Sequence, residues 1–312
     1  MSDKIKELVN EVHLAGKVAE IEVKTGLTEE KKVPYVSIKG AIQFGDSKVK
    51  TRRFESFVQQ TKKDGGENKL YSPTLTFANS AKSIADVGYE NATVVDVQGN
   101  FSANDYIDST DKLIESQQIS IKFFNECDND IEKFKGTADI EGYIQSINEE
   151  TKGEDKTETG RLRVSIITAD FFGNIVPIKN IVVPENLHDA FLDGYEIGQS
   201  AILYVDFIPN KAEAKPKKTG GLGVQRETDG KSYLEMVVTG ASPAIDEDDP
   251  NGISKEAIKI ALAERKASLN ELVEKGYQGS KKDVRNNLGA KNSNTPATKK
   301  KPKPVADDDM PF

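Results

Sequence analysis

The sequence is poor in the residues that build disulfides and transition-metal sites. It contains one cysteine, two histidines and no tryptophan among 312 residues. Because Cys127 is alone, no intramolecular disulfide can form and a zinc site built from cysteines is excluded. His13 and His188 lack the spacing of metal ligands, so we expect no metal and no cofactor.

Long apolar runs are also missing. No stretch of eighteen apolar residues occurs, which excludes a typical membrane-spanning helix. The opening letters MSDKIKE do not have the apolar centre of a signal peptide. We therefore expect a soluble protein of a reducing cytoplasm.

No segment carries a catalytic pattern. The glycine-rich run at 220–223 lacks the Lys-Ser/Thr pair of a phosphate-binding loop. The acidic run at 246–249 lacks the spacing of a calcium loop and is typical of a solvated linker. The sequence names no catalytic residue, so we predict that the protein is not an enzyme.

Charge is distributed unevenly along the chain. The formal net charge is −8, which by itself gives no indication of nucleic-acid binding. Residues 31–69, however, contain ten lysines and arginines against four acids, and residues 281–304 contain eight against one. The protein therefore carries basic patches within an acidic whole, and such patches are typical of surfaces that bind phosphates.

Alternation of apolar and polar residues predicts strands in two halves of the chain. A length of 312 residues exceeds the size at which single cores usually stop growing, so two domains are expected. In the first half, we expect strands at 12–23, 35–44, 49–59, 93–101 and 118–124, with a helix at 80–87. In the second half, we expect strands at 139–147, 162–172, 174–183, 201–208 and 233–239, with a helix at 184–192. A change of apolar parity also predicts a bulge near Ala19.

Short repeats suggest that the two halves are related. The matches are Val36-Ser37-Ile38 with Val164-Ser165-Ile166 and Phe44-Gly45 with Phe172-Gly173, each after 128 positions, and Gly16 with Gly142 after 126. Five strands with one helix before the fourth fit the OB-fold, a five-stranded Greek-key barrel. We therefore predict a mainly β protein with two OB-fold-like barrels in tandem, at 8–130 and 136–245. Other small barrels or sandwiches remain the alternative.

The C-terminal region has a different pattern. Residues 252–276 predict a helical segment that Ser254 can cap, and Ser268 with Glu271 has the spacing of a second capping box. Residues 277–312 are rich in glycine, asparagine, lysine and proline, and we expect a disordered basic linker with an acidic tip.

The final six residues combine acidic and apolar groups at the end of the chain. They are Asp307, Asp308, Asp309, Met310, Pro311 and Phe312. Repulsion between three adjacent carboxylates favours an extended and solvated segment, and proline disfavours helix at the residue before it. An anionic stem with an apolar tip and a free carboxylate would fit a cationic pocket with a hydrophobic floor on another protein.

This tip resembles the C-terminal tail of bacterial and phage single-stranded DNA-binding proteins, which typically reads Asp-Asp-Asp-Ile-Pro-Phe. Met310 stands where that family usually has isoleucine, a mild exchange between apolar residues of similar bulk. The resemblance covers six residues. It implies a protein that coats single-stranded DNA without sequence preference during replication, recombination and repair. It also implies that the tip recruits partner proteins.

Candidate DNA-binding residues follow from strand parity in the predicted barrels. Single strands are held by basic grooves that follow phosphates and by aromatic faces on which bases stack. In the first barrel, the outward-facing candidates are Tyr35, Lys39, Arg53, Phe57, Lys122 and Phe124, with Lys48, Lys50, Lys62 and Lys63 in flanking turns. In the second barrel, the candidates are Tyr143, Arg161, Arg163 and Tyr233. The alternative for the aromatic residues is that they cover the barrel against its neighbour or against the helical segment.

Two other functions fit the same barrels. One is a protein-interaction adaptor that binds no nucleic acid, and the other is an RNA-binding protein. The sequence also leaves open whether two barrels act as a monomer or whether the chain dimerises to make four.

Overall fold

The alternating segments form strands that curl into two barrels. The computed structural model describes residues 5, 7–127, 130–152, 155–170, 173–211 and 231–277. The strands of the first half are β1 Asn10–Leu27, β2 Pro34–Gln43, β3 Thr51–Gln59, β4 Val94–Ala103, β5 Tyr106–Ile107, β6 Leu113–Ile114 and β7 Gln117–Glu126. Those of the second half are β8 Lys135–Lys152, β9 Thr157–Ala169, β10 Ile175–Val183, β11 Ser200–Lys211 and β12 Ser232–Ala241.

Both halves close in the same way. In the first barrel the hydrogen-bonded order is β1-β2-β3-β7-β4, and β4 returns to β1. In the second it is β8-β9-β10-β12-β11, and β11 returns to β8. All neighbours are antiparallel except β3 with β7 and β10 with β12, which are parallel. This is the five-stranded Greek-key closure of the OB-fold, so the predicted fold class is confirmed.

The helices differ more from the sequence-based expectation. They are α1 Tyr71–Ser80, α2 Ile84–Val87, α3 His188–Gly194 and α4 Lys255–Lys275. Only the second half of the helix predicted at 80–87 is helical, as the single turn α2, which stops at Gly88 (φ +80°) as predicted. The longer helix α1 lies before it, at Tyr71–Ser80, and was not predicted. The helix predicted at 184–192 starts instead as a short 3-10 turn, Glu185–Leu187, before α3.

The C-terminal segment forms one long helix, whereas the sequence suggested that helices begin at two places in it. The Ser254 side chain accepts hydrogen bonds from the backbone of Glu256 and Ala257 and so caps α4 as predicted. The second start at Ser268 is wrong. Its hydroxyl bonds back to the carbonyl of Glu264 inside a continuous helix, and such a bond cannot cap a new one. In the described part of the chain, no helix is both long and apolar enough to cross a membrane.

Strand irregularities recur at matching places in the two barrels. The register of β1 against β2 shifts around Ala19, as predicted, and that of β8 against β9 shifts around Gln145. The β4–β7 and β11–β12 pairs also shift at one matching position each. Just before the first shift, Val18 pairs with Ile42 and Ile144 pairs with Ile166. Ile166 is therefore the counterpart of Ile42, and the repeat that aligned it with Ile38 is wrong by four residues along the strand.

Gly16 permits the tight contact between β1 and the end of β2. A Cβ atom at this position would lie 2.2 Å from the carbonyl oxygen of Gln43. No side chain can be accommodated at that distance, so glycine is required where the barrel closes. Its counterpart Gly142 is less crowded, with the nearest side-chain atom of Ile166 at 3.0 Å from the same hypothetical Cβ.

The two barrels are joined by their first strands. Six residue pairs link β1 to β8 in antiparallel register, from Asn10 with Ile140 to Ala15 with Lys135. Beside this ladder, the rings of Phe44 and Phe207 lie 6.2 Å apart, and the Arg52 guanidinium lies 5.0 Å from the centre of the Phe207 ring. The sheet is thus continuous from one barrel into the other.

Helix α4 contacts both halves. Its first turns bury Ile258, which joins a hydrophobic cluster on the outside of the second barrel. Farther along, Arg265 forms two bonds with the Asp105 carboxylate, at 2.8 and 2.9 Å, beside the β5–β6 hairpin of the first barrel. The helix therefore packs on the second barrel and forms an ion pair with the first.

Candidate nucleic-acid interface

The outer face of β2 and β3 presents a pair of aromatic rings. Tyr35 and Phe57 lie on neighbouring strands, with ring centroids 5.2 Å apart and planes tilted by 33°. Phe57 is 58% exposed, although Phe54 and Val58 on the same strand are buried. The alternation along β3 places the buried residues in the barrel and Phe57 outside it, as the sequence predicts.

A groove continues along the same hairpin toward the start of β7. Its volume is about 900 Å³. Its walls come from β1, β2, β3 and β7 and from the residue after β4, and they include Glu20, Glu22, Lys39, Arg53, Glu55, Asn104, Gln117 and Gln118. The side-chain oxygens of Gln117 and Gln118 are buried without a hydrogen-bond partner among the described residues. The groove is therefore lined by two amide side chains whose oxygens are unpaired within the described residues and shielded from solvent.

The charges of this face are mixed. The Nζ atom of Lys39 lies 2.6 Å from a carboxylate oxygen of Glu55. Arg53 is exposed and forms no ion pair within the described residues. Around the face, Lys48, Lys62, Lys63 and Lys122 are exposed, and Lys50 lies 4.0 Å from Asp46. The lysines in the turns rather than the groove itself give this side its positive charge.

Phe124 does not face solvent as expected. Its ring stacks on Phe77 of α1 with centroids 4.4 Å apart, and it also contacts Phe54 at 5.9 Å. The cause is a bulge at Lys122, which reverses the parity of β7. Phe123 becomes the exposed ring instead, at 47% exposure, and strand parity did not reveal it as a candidate.

Tyr143 is also buried where exposure was expected. It lies on the outer face of β8, but α4 and the N-terminal segment cover it. The residues packed with it include Leu8, Ile167, Ile175, Ile253 and Ile258. Cover by the helical segment was the alternative considered for an outward-facing ring, and it is the one that occurs here. Tyr233, at the start of β12, remains 42% exposed.

Arg161 and Arg163 belong to a closed network of ion pairs. Arg161 lies 2.5 Å from Glu235 and 3.3 Å from Glu150. Arg163 bonds to Glu235 at 2.6 Å and also to Glu150. Glu150 and Glu235 are both buried. Two positive and two negative side chains thus satisfy one another on the side of the second barrel.

The protonation of this network follows from its contacts. Burial alone would raise the pKa of Glu150, but hydrogen bonds from Thr159 and Arg163 lower that pKa below its ordinary value. Burial likewise opposes ionisation of Glu235, and bonds from both arginines lower its pKa overall. The network is therefore fully ionised at neutral pH.

Burial has a different effect at Arg52. This arginine sits between the barrels against Phe207, and desolvation lowers the pKa of its guanidinium. An arginine pKa starts high enough for the side chain to remain charged. Arg52 therefore acts as a charged contact between the barrels, while its neighbour Arg53 points outward.

Several expectations concern residues or features that the structure does not place in a site. The partner-binding residues Asp307, Asp308, Asp309, Met310, Pro311 and Phe312 lie outside the described residues, as does the basic segment 281–304. Within the described ranges, no group of three or more histidine, cysteine or acidic residues could hold a metal ion.

Solved structures with a similar chain path include two from Thermus aquaticus. One is the wild-type single-stranded DNA-binding protein, with a TM-score of 0.47 and 8% identity, covering 76% of this chain and 93% of that chain. The other is a deletion variant of the same protein, with a TM-score of 0.46 and 9% identity, covering 78% and 98%. No curated protein sequence matches the chain.

A family model matches most of the sequence. The match extends over residues 8–275, which include both barrels and α4. The chain is therefore a member of the YorF family.

Proposed function

We propose that this protein binds single-stranded DNA on the outer face of β2 and β3 in the first barrel. The observation that carries the proposal is the ring pair of Tyr35 and Phe57, in which Phe57 is exposed and Tyr35 is half-buried. A ring left in water on a strand is unfavourable unless it packs or binds something. Nucleic-acid bases stack on such rings, and each stack contributes about 1–3 kcal/mol.

The groove next to the rings suits the polar parts of a strand. Gln117 and Gln118 line this groove, and their side-chain amides can form hydrogen bonds to the sugar, phosphate or base edges of a strand. Arg53 lies in the same groove and is free to bond to phosphate. Lysines in the flanking turns would follow the backbone on either side. This set of contacts does not read a particular base sequence, as expected for a protein that coats strands.

The acidic tip supplies the second part of the proposal. Asp307 to Phe312 resembles the partner-recruiting tail of single-stranded DNA-binding proteins. We therefore assign to this tip the recruitment of replication, recombination or repair proteins. The proposed setting is the cytoplasm of a bacterium, or of a host cell if a phage encodes the chain.

Titration with labelled oligonucleotides tests the first part. Full-length protein would be titrated with oligo-dT, oligo-rU and duplex DNA of equal length at several salt concentrations. We expect saturable binding to oligo-dT that weakens with salt, and weak binding to duplex. Stronger binding to oligo-rU would indicate an RNA-binding protein. Absence of binding to all three would reject the proposal and favour a protein-interaction adaptor.

A further inference from the structure

Strand register identifies which residues of the two barrels correspond. Lys39 pairs with Glu22, the third residue after the bulge at Ala19 in β1. Arg163 pairs with Asn148, the third residue after the bulge at Gln145 in β8, so Lys39 and Arg163 correspond. Gln118 lies four residues before the register shift in β7, and Glu235 lies four residues before the register shift in β12, so these two residues also correspond. Asn104 and Asn210 are likewise counterparts, because each follows the shifted position of its strand by the same number of residues. The groove of the first barrel therefore has a defined counterpart in the second.

These equivalent places differ in their chemistry. In the first barrel, the side-chain oxygen of Gln118 is buried without a partner in the described chain. In the second, the Glu235 carboxylate accepts bonds from Arg161 at 2.5 Å, Arg163 at 2.6 Å and Asn210 at 2.9 Å. In the first barrel the side-chain oxygen of Gln118 is thus unpaired among the described residues, whereas in the second barrel the Glu235 carboxylate is occupied by its donors.

A second irregularity in β8 supplies the other carboxylate of the ion-pair network. The register against β9 shifts again between Glu149 and Thr151, and β1 has no matching shift against β2. The residue at this shift, Glu150, is buried and bonds to both arginines and to Thr159 at 2.8 Å. The irregularity thus brings a carboxylate to the arginines.

The network leaves neither Arg161 nor Arg163 available to a phosphate. The two arginines of the network are neutralised by its two carboxylates, so the summed charge of these four side chains is zero. A strand could reach either arginine only by displacing a buried carboxylate, and an unpaired buried carboxylate is strongly destabilising. The outer face of β8 gives no alternative surface near Tyr143, because α4 covers it.

We propose that only the first barrel holds single-stranded DNA, and that the second barrel is closed to it and acts as a structural support. This inference rests on the proposed function and assigns one strand segment, rather than two, to each chain. The closed network is the discriminating feature, since both barrels share the fold that usually carries the site.

Hydrogen exchange on the unmodified full-length chain tests this assignment without a variant that could misfold. Amide exchange would be compared with and without saturating oligo-dT. We expect slower exchange in β2, β3 and the turn that follows β3, and unchanged exchange in β9 and β10. Equal protection of β9 and β10 would overturn the assignment. If the unmodified chain shows no saturable binding, the proposed function itself falls and this inference with it.

A pair of variants gives an independent test. Phe57→Ala in the first barrel should weaken oligo-dT binding by roughly 5- to 150-fold. The combined variant Arg163→Gln with Glu235→Gln removes one charge of each sign from the second barrel, and its affinity should stay within about twofold of the unmodified chain. Far-ultraviolet circular dichroism would show that both are folded. A folded Arg163→Gln with Glu235→Gln protein that loses affinity as Phe57→Ala does would contradict the assignment.

Discussion

The ring of Phe124 stacks on the ring of Phe77 with centroids 4.4 Å apart, so α1 covers an aromatic residue of β7. Phe57, on β3, has one aromatic partner among the described residues, Tyr35, and is 58% exposed. The two phenylalanines look alike in a strand pattern but have different surroundings. Their substitution should therefore have different consequences.

We expect Phe57→Ala to reduce affinity for oligo-dT by about 1–3 kcal/mol with little change in melting temperature, because a stacking surface is removed from outside the core. Phe124→Ala should instead lower the free energy of unfolding by about 3 kcal/mol, since its ring packs on α1. Fluorescence titration and thermal melts measure the two effects. The reverse result, a stability loss for Phe57→Ala with normal affinity per folded molecule, would mark Phe57 as a packing residue.

Salt dependence should report the cations on the same face. Arg53→Ala combined with Lys39→Ala should weaken binding and reduce the slope of log K against log salt by about 0.7 for each phosphate that is no longer neutralised. A matched control is Lys259→Ala combined with Lys266→Ala on α4, which also removes two cations from the exposed surface. An unchanged slope in the first variant, with the protein folded, would remove these residues from the site.

Arg265 should contribute to stability through its contact with Asp105. The side chains are only 13% and 10% exposed, so Arg265→Met leaves a poorly solvated carboxylate and should destabilise the protein by about 3 kcal/mol. Adding Asp105→Asn should recover part of the loss. Lys259→Met breaks the exposed pair with Glu256 and serves as the control, with an expected change of about 0–1 kcal/mol. Urea unfolding of all three variants would check this, and equal effects at Arg265 and Lys259 would contradict it.

Strand periodicity was enough to predict both barrels, because each strand has one buried and one exposed face. The bulge at Ala19 was also predictable, since the apolar parity changes within one short run. The bulge at Lys122 was not, because Lys122, Phe123 and Phe124 give no contrast that would mark it. That single shift exchanged the roles of two neighbouring phenylalanines.

Tertiary contacts decided the remaining differences. Tyr143 is buried only because α4 folds back over β8, and no local pattern encodes that return. The pairing of Arg161 with Glu235 joins residues that are 74 positions apart. The strand pattern alone indicates two exposed arginines there, whereas the folded barrel neutralises them. Basic residues therefore predict a binding surface only when their nearest carboxylates are known.

Stability should vary with pH through His188. Its ring nitrogens contact Asp189 at 2.8 Å and Glu149 at 3.0 Å, and these hydrogen bonds raise the pKa of the imidazole above 6.5. A raised pKa in the folded state stabilises the fold at pH values below the unfolded value, and this contribution is lost as pH rises through the folded value.

The melting temperature should therefore decline slightly as pH rises from about 6 to about 8, and His188→Gln should flatten this part of the profile. Thermal melts at constant ionic strength would measure the difference between the two proteins. Parallel profiles for the unmodified chain and His188→Gln would show that the contacts of His188 do not contribute.

Removal of Asp307 to Phe312 should separate strand binding from partner recruitment. The deletion removes three side-chain carboxylates, so affinity for oligo-dT should stay equal or rise, with a gain that shrinks at high salt. The melting temperature should hardly change, because terminal residues seldom support a core. Phe312→Ala keeps all three aspartates and should still lose replication or repair partners in pull-downs from host lysate. Identical partner sets from the full chain, the deletion and Phe312→Ala would reject the recruiting role.

We expect the ladder between β1 and β8 to make the two barrels unfold as one unit. In this ladder Val12 pairs with Ala138, its counterpart in the second barrel, as equivalent residues pair across the two-fold axis of a symmetric dimer. Neither barrel can melt without stripping backbone bonds from the other, so heating should produce one transition with equal van't Hoff and calorimetric enthalpies. Because both barrels melt together, substitutions confined to one of them should lower the melting point of the whole molecule.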